Sequence, residues 1–481
     1  MTRAIEIVQI KPDSPEDNTF FGHPAGLGWL SFCELWERFS FYGMQTLLIL
    51  YLSDYLFLPE NSAHVWGFQE LRSGIESVTG PRSPEQLASI VFGLYAGLVY
   101  LLPIFGGLLA DRWIGRTRSV VIGAIAMAMG HFLMAFESSL LPALTLLVLG
   151  VAAFKGNIAV QVSDLFKEGD PRRATAFQIF ILSVQAAAII APLVCGTLGE
   201  KVAWHWGFGA AGFGMLIGLA VYIQGLKYLP RDRLERGRGR TAGPRLTQAE
   251  KSRLAILFLM MPVLTVSIVG YGQFGNAFPL WSRGNMDMVV AGFAVPLTWL
   301  QAVDGVCRLA SMVAAIWFWR WWDTKYKPIN DLLKISCACL VAASAPALLM
   351  IPAFLIEHGG DKVSILWTVA YSLVNAMAFA TLVPVGLALY AHASPRRLQG
   401  FMIGIYFLHI FVGNILVGWL AGFLSEMSGT SFWGLHAILV ATAGGVLLVI
   451  NLMFSKIFKP APPPVHVSLD KRGISGERTP V

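Results

Sequence analysis

A series of long apolar runs, each near twenty residues and separated by short polar breaks, constrains this chain more than any other feature of its sequence. A helix needs about 20 apolar residues to cross the ~30 Å hydrocarbon layer of a bilayer. Such runs fall at about 26–56, 86–110, 118–137, 140–163, 174–198, 205–228, 253–280, 289–320, 332–356, 364–391, 399–424 and 431–455. Of 481 residues, 55% are apolar and 14% are charged, whereas a soluble domain carries roughly 25% charged residues. A soluble multidomain protein is thereby excluded, and twelve spans absorb almost the whole apolar inventory. The expected fold class is an all-α membrane protein with twelve transmembrane helices.

The 36 Lys and Arg residues set the orientation. Of these, 28 fall in the termini and the loops after even-numbered spans, while Arg72, Arg82, Lys201, Arg283 and Lys362 occupy the opposite loops. Positive charge accumulates on the cytoplasmic side of spans, so both termini are expected in the cytoplasm of a multi-pass plasma (inner) membrane protein. The net charge of +7 is then an orientation signal, and no nucleic-acid partner is implied. The chain divides into an N-terminal segment 1–25, a six-span block 26–228, a basic linker 229–252, a second block 253–455 and a tail 456–481. Residues 1–25 contain Glu6, Asp13, Glu16 and Asp17 and do not read as a signal peptide. The external segment 57–85, with Pro59, Gly67, Gly74, Gly80 and Pro81, reads as an ordinary loop. All five cysteines lie inside apolar runs, which argues against a disulfide framework or a zinc site.

Charge inside the spans is the strongest chemical signal. The first span carries Glu34, Glu37 and Arg38, whose spacing puts all three on one helical face. Each charge at mid-bilayer costs about 2.5–3.5 kcal/mol on insertion scales, so together they imply a water-filled cavity between helices. Two carboxylates beside one guanidinium cannot both ionise cheaply, which makes one of them a candidate proton carrier. Lys155 in the fourth span balances the set as two acids and two bases, and a purely structural network is the competing reading. Asp304 and Arg308 in the eighth span are four residues apart, on one face, and either pair with each other or leave Asp304 free for a substrate. His131, His409 and His436 read more readily as packing residues than as proton relays.

After the second span the chain reads GGLLADRWIGRTR, and after the eighth WRWWDTKYKP. The first resembles the signature of the major facilitator superfamily through Asp111, Arg112, Gly115, Arg116 and Arg118. Its partial recurrence suggests two related six-helix bundles around a central cavity. The segment ELWERFSFYG at 34–43 resembles the ExxER motif of the proton-dependent oligopeptide transporter family. The resemblance continues through GLVYLLP at 97–103, FKGNI at 154–158, DLFKEGDPRR at 164–173, APLVCG at 191–196, WHWGFGAAG at 204–212 and VPVGLAL at 383–389.

That resemblance implies proton-coupled import of small peptides, with protons as the coupling ion and no other cofactor or metal. Glu34, Glu37, Arg38 and Lys155 match the proton-coupling positions, and Arg38, Tyr42, Tyr100 and Lys155 match those facing the substrate carboxylate. Further substrate positions are Gln185, Asp304, Tyr406 and His409, where the family usually carries Asn, Asn, Trp and Ser. Gln45 and Gly272 stand where relatives place an Arg and a Glu that pair across the outer gate, so this gate is expected to close by other contacts. Phe379 stands where a Glu usually holds the substrate's amino terminus. With Asp111, Arg112 and Arg116, Gln45 and Gly272 complete the expected gating set. The leading expectation is a di- and tripeptide symporter, functional as a monomer in a lipid bilayer. Alternatives are a carrier of another small anionic or zwitterionic solute, and a peptide sensor that does not transport. Without a nucleophile, metal or phosphate motif beside the charges, an enzyme is not expected.

Overall fold

A computed structural model describes residues 20–167, 170–230, 232, 246–395, 398–455 and 457. The expected N-terminal segment, linker and tail therefore lie largely outside the described residues. Twelve helices of 18 or more residues follow one another: α1 Ala25–Tyr51, α2 Pro84–Leu109, α3 Arg116–Leu133, α4 Leu140–Asp164, α5 Arg172–Ala191, α6 Trp204–Gly225, α7 Gln248–Ser267, α8 Trp299–Lys325, α9 Asp331–Glu357, α10 Leu366–His392, α11 Gln399–Ala421 and α12 Gly429–Phe454. Among the described residues, ten segments are long and apolar enough to cross a membrane. The two helices outside that set are α1, with Glu34, Glu37 and Arg38, and α3, which opens on Arg116 and Arg118.

Helix starts follow the local chemistry. Ser83 accepts from the Gln86 amide at 3.3 Å while the Gln86 side chain accepts from the Ser83 amide at 3.1 Å. This capping box, with Pro84 in the first turn, fixes where α2 begins. Thr247 and Glu250 do the same for α7, and Asn330 caps α9 through the Leu333 amide at 2.7 Å. Pro103, Pro262, Pro346, Pro352 and Pro384 sit inside helices, which membrane helices tolerate because neighbours re-satisfy the freed backbone.

Two features depart from the sequence reading. Segment 57–85 contains the helix Phe68–Thr79, whose Phe68, Leu71, Ile75 and Val78 recur at helical spacing and whose Arg72 and Glu76 pair at 2.9 Å. The Arg82 amide and the Arg72 side chain hold the Glu76 carboxyl below its ordinary range. The expected eighth span from 289 begins ten residues later, because Val289–Val290 and Phe293–Ala294 form a hairpin. Ala291 and Gly292, both at positive φ, supply the tight turn that matches strand twist. Beside it, Met286–Asp287 pairs in parallel with Val363–Ser364. The chain after α7 likewise breaks into short turns at Val269–Gly275 before resuming at Ala277–Asn285.

Helices α1 to α6 pack mainly on one another, as do α7 to α12, and the strongest contacts between the groups are α2 on α11 and α5 on α8. One apolar core fills the first group and two fill the second; Leu280 of the second group is buried in the first core, Leu297 and Leu424 pack against its edge, and Tyr100 of the first group packs against a second-group core. Where α2 crosses α11 the backbones touch: a Cβ on Gly93 would sit 2.5 Å from the Asn414 carbonyl, and one on Gly418 would sit 2.6 Å from that of Ser89.

All ion pairs seen between the two groups, among the described residues, lie at the end opposite the termini. Arg283 pairs there with both Asp54 and Glu85, and Arg82 lies 3.7 Å from Glu426. Gln86 donates to the Gly422 carbonyl at 3.1 Å and to Glu426 at 2.7 Å. Glu200 accepts from the Leu297 and Thr298 amides at 2.8 and 2.7 Å, an anion at the start of α8 where the helix dipole favours one. At the termini end, polar pairs stay inside each group among the described residues: Arg116 with Asp111 at 2.9 Å and Asp164 at 2.7 Å, and a hydrogen bond between His392 Nε2 and Asp331 Oδ2 at 2.7 Å. The bundle is latched at its far end.

Candidate functional site

On α1, the i, i+3, i+4 spacing brings Glu34, Glu37 and Arg38 into one buried cluster. Arg38 donates Nη2 to Glu37 Oε1 at 2.7 Å and Nε to Glu37 Oε2 in a shorter contact. Glu37 is thus held by both oxygens. Glu34 is held by one: its Oε1 lies 3.3 Å from Arg38 Nε, while its Oε2 is buried with no hydrogen-bond partner. A buried acceptor without a donor is costly, and more so when charged.

Lys155 projects from the middle of α4 toward α2, its Nζ 4.4 Å from the Tyr100 ring centroid. No carboxylate lies within 4.0 Å of it among the described residues. A cation on an aromatic face is stabilised by about 0.5–2 kcal/mol and keeps its hydrogen-bond donors free for a ligand. Tyr42, one turn beyond Arg38, faces the second group of helices, where the Arg308 guanidinium carbon is 5.8 Å from its ring centroid. Arg308 Nε in turn lies 2.8 Å from Asp304 Oδ2, so the intrahelical pair forms. Asp304 keeps Oδ1 buried and without a partner.

The remaining sequence candidates are dispersed. Gln185 is buried in α5. Tyr406 belongs to the second group's core, donating to the Val383 carbonyl at 2.9 Å and packing on Tyr390. His409 Nδ1 closes on the Tyr406 carbonyl, and His436 bridges the Phe432 carbonyl at 2.9 Å and Gln273 Nε2 at 2.8 Å. His131 is buried in α3 with Nδ1 unpartnered. Gln45 is half-buried on α1, whereas Gly272 packs under α11, where an added Cβ would meet Val417 Cγ2 at 2.5 Å. Asp111 and Arg116 close a turn within the first group, and Arg112 is exposed beside them. Gly115 holds that turn at φ +89°, with a Cβ position only 2.6 Å from Asp232 Oδ2.

Two features were not anticipated from sequence. Tyr271 stacks on Phe379 with ring centroids 4.1 Å apart and planes 12° apart, joining α10 to the break after α7. Arg283, counted only as a loop cation, joins two acids from the other group; single acids at the ends of α1 and α2 were the available signal. Among the described residues no cluster of three or more His, Cys, Asp or Glu could hold a metal ion.

Two six-helix groups meeting around buried, incompletely paired charges define a membrane transporter of the major facilitator fold. The family model described as "POT family" matches residues 117–236 and 243–436. The chain belongs to that family, the proton-dependent oligopeptide transporters. It is 28% identical to the peptide transporter YePEPT of Yersinia enterocolitica subsp. palearctica, with 92% of this chain and 97% of that protein covered. It is 26% identical to the di-/tripeptide transporter of Lactococcus lactis subsp. lactis, covering 92% and 98%. Among solved structures, a mutant of peptide transporter POT in complex with alafosfalin superposes with a TM-score of 0.81 at 24% identity, covering 94% of this chain and 100% of that one. A POT family transporter in complex with 5-aminolevulinic acid gives 0.77 at 21% identity, covering 92% and 99%.

Proposed function

We propose that this protein is a proton-coupled symporter that imports di- and tripeptides by alternating access. The observation that carries the reading is the asymmetry of the α1 cluster: Glu37 is fully engaged by Arg38, while Glu34 keeps a buried oxygen without a donor. Glu34 takes the proton, Arg38 and Lys155 hold the substrate carboxylate, and Tyr42 and Tyr100 line the space between them. Peptide relatives that match over nine-tenths of the chain support the substrate class. The basic residues between even- and odd-numbered spans support termini in the cytoplasm, so the latched far end is the exterior and the cavity is reached from inside. The six-helix division at 26–228 and 253–455, with a cytoplasmic linker at 229–252, suits rocking of one half against the other. The transporting unit is a single chain in the bilayer, and no cofactor beyond the proton is required.

The test is uptake of radiolabelled dialanine into liposomes containing the purified protein. With an acidic exterior, dialanine should accumulate, and a protonophore should abolish the accumulation. Binding without accumulation would make the protein a sensor, and accumulation unaffected by the protonophore would remove proton coupling.

A further inference from the structure

At the latched end, Glu85 of α2, Trp281 and Arg283 of the helix Ala277–Asn285, Glu357 at the close of α9 and Gly429 at the opening of α12 line a cavity of about 440 Å³. Small-molecule pockets hold roughly 300–1,000 Å³, so a small solute fits. Trp281 is only 5% exposed, packed against Phe278 and Trp433. Its carbonyl accepts from Asn285 at 2.7 Å, but its indole N–H has no hydrogen-bond partner among the described residues. A donor in so enclosed a place is costly unless an acceptor reaches it.

Gly429 shows what that N–H faces. A Cβ there would sit 3.0 Å from Trp281 Nε1 and 3.4 Å from Glu357 Oε1, so one small open space is bordered by a donor and a carboxylate. The backbone does not call for glycine at this position, because Gly429 is the first residue of α12, after the Ser428 cap, and is not at positive φ. What the missing side chain keeps open is the space itself. Glu357 is fixed by the Thr430 amide at 2.9 Å and has no Lys or Arg nitrogen within 4.0 Å among the described residues. Arg283, on the same wall, is already taken by Asp54 and Glu85. Asp54, Glu85 and Glu357 together outnumber Arg283, and the surplus negative charge favours a cation.

We infer that this cavity is an outer holding site for the amino-terminal end of a peptide. The ammonium goes to Glu357, the adjacent carbonyl accepts from Trp281 Nε1, and the carboxylate end, repelled by the acids, is left toward the medium. Charge-assisted hydrogen bonds of the ammonium–carboxylate kind are the strong ones. The inference rests on the peptide-symport reading and its orientation, and adds to the transport path a stop outside the closed latch.

The experiment places a cysteine at Ser425, an exposed residue of the cavity wall, and labels it with an impermeant thiol reagent outside right-side-out membrane vesicles, with the wild-type protein as blank. Dialanine and alanyl-alaninamide, which share the ammonium and the carbonyl, should both slow the labelling, whereas N-acetyl-dialanine should need about tenfold more. Glu357→Gln and Trp281→Phe should each raise the protecting concentration of dialanine about tenfold, and raise KM for its uptake with the maximal rate unchanged. Glu357→Gln keeps an acceptor for the Thr430 amide, so it decides the matter if Trp281→Phe does not fold. Equal protection by N-acetyl-dialanine, protection untouched by Glu357→Gln, or labelling only after permeabilisation would overturn the inference. Dialanine accumulation without any protection would also overturn it and leave peptide symport standing, while protection without accumulation would uphold the cavity and remove symport.

Discussion

Lys155 and Glu34 separate what a residue does for the fold from what it does for transport. Lys155 sits on the Tyr100 ring with no carboxylate within 4.0 Å among the described residues, so Lys155→Ala breaks no direct ion pair and forgoes about 2 kcal/mol of cation–π stabilisation. The variant should melt within a few degrees of wild type yet accumulate no substrate. Wild-type accumulation would reduce Lys155 to a packing residue. For the acids, Glu34→Gln should retain exchange of internal for external substrate while losing accumulation driven by a pH gradient. Glu37→Gln should lose both, because it leaves Arg38 buried beside a weaker partner, and breaking such a pair costs about 3–5 kcal/mol. Identical behaviour of the two variants, in exchange and in thermal stability, would contradict the division of labour between them.

Among elements, the latch at the far end rests on residues that the sequence did not single out for gating. Gly272 lies under Val417 with no room for a side chain, so introducing a charge pair as Gln45→Arg with Gly272→Glu should destabilise the protein. Overpacking of a close contact costs about 1–3 kcal/mol. Gly272→Ala should already lower the melting temperature, and adding Val417→Ala should recover most of the loss; an unchanged melt in Gly272→Ala would show that α11 can yield. Closure instead falls to Arg283 with Asp54 and Glu85. Each partly exposed pair contributes about 0.2–1 kcal/mol, so Arg283→Gln should raise the outward-open population several-fold. A cysteine introduced at Ser89, buried under α11 when the latch is shut, should then react faster with an impermeant external thiol reagent. An unchanged labelling rate would remove Arg283 from the latch.

For the whole molecule, the periodic and the costly were legible before any coordinates: runs of bilayer length, and charges at mid-span that only a cavity could tolerate. The Asp304–Arg308 alternatives were also visible, because a four-residue spacing is a local fact; which of them held was decided by the side-chain geometry of α8. Hidden from the sequence were contacts between residues far apart in the chain, such as Arg283 with Asp54, and the break after Ser267, where a continuous apolar run conceals a change of backbone path. The helix Phe68–Thr79 was masked by flanking glycines and prolines, although its apolar spacing was present. The latch has one further property. When the halves part at the latched end, Asp54 and Glu85 stay with one and Arg283 leaves with the other, so the newly bared surface is lopsided in charge. Ions dissolved outside can take Arg283's place, and the composition of the surrounding medium thereby becomes a setting of the carrier's resting posture. Raising ionic strength from about 0.01 M to about 1 M shrinks the reach of charge from roughly 30 to 3 Å. Outward exposure of the Ser89→Cys reporter should climb with salt in the otherwise unaltered protein and stay flat once Arg283 is neutralised, leaving a carrier that no longer senses the water it draws from.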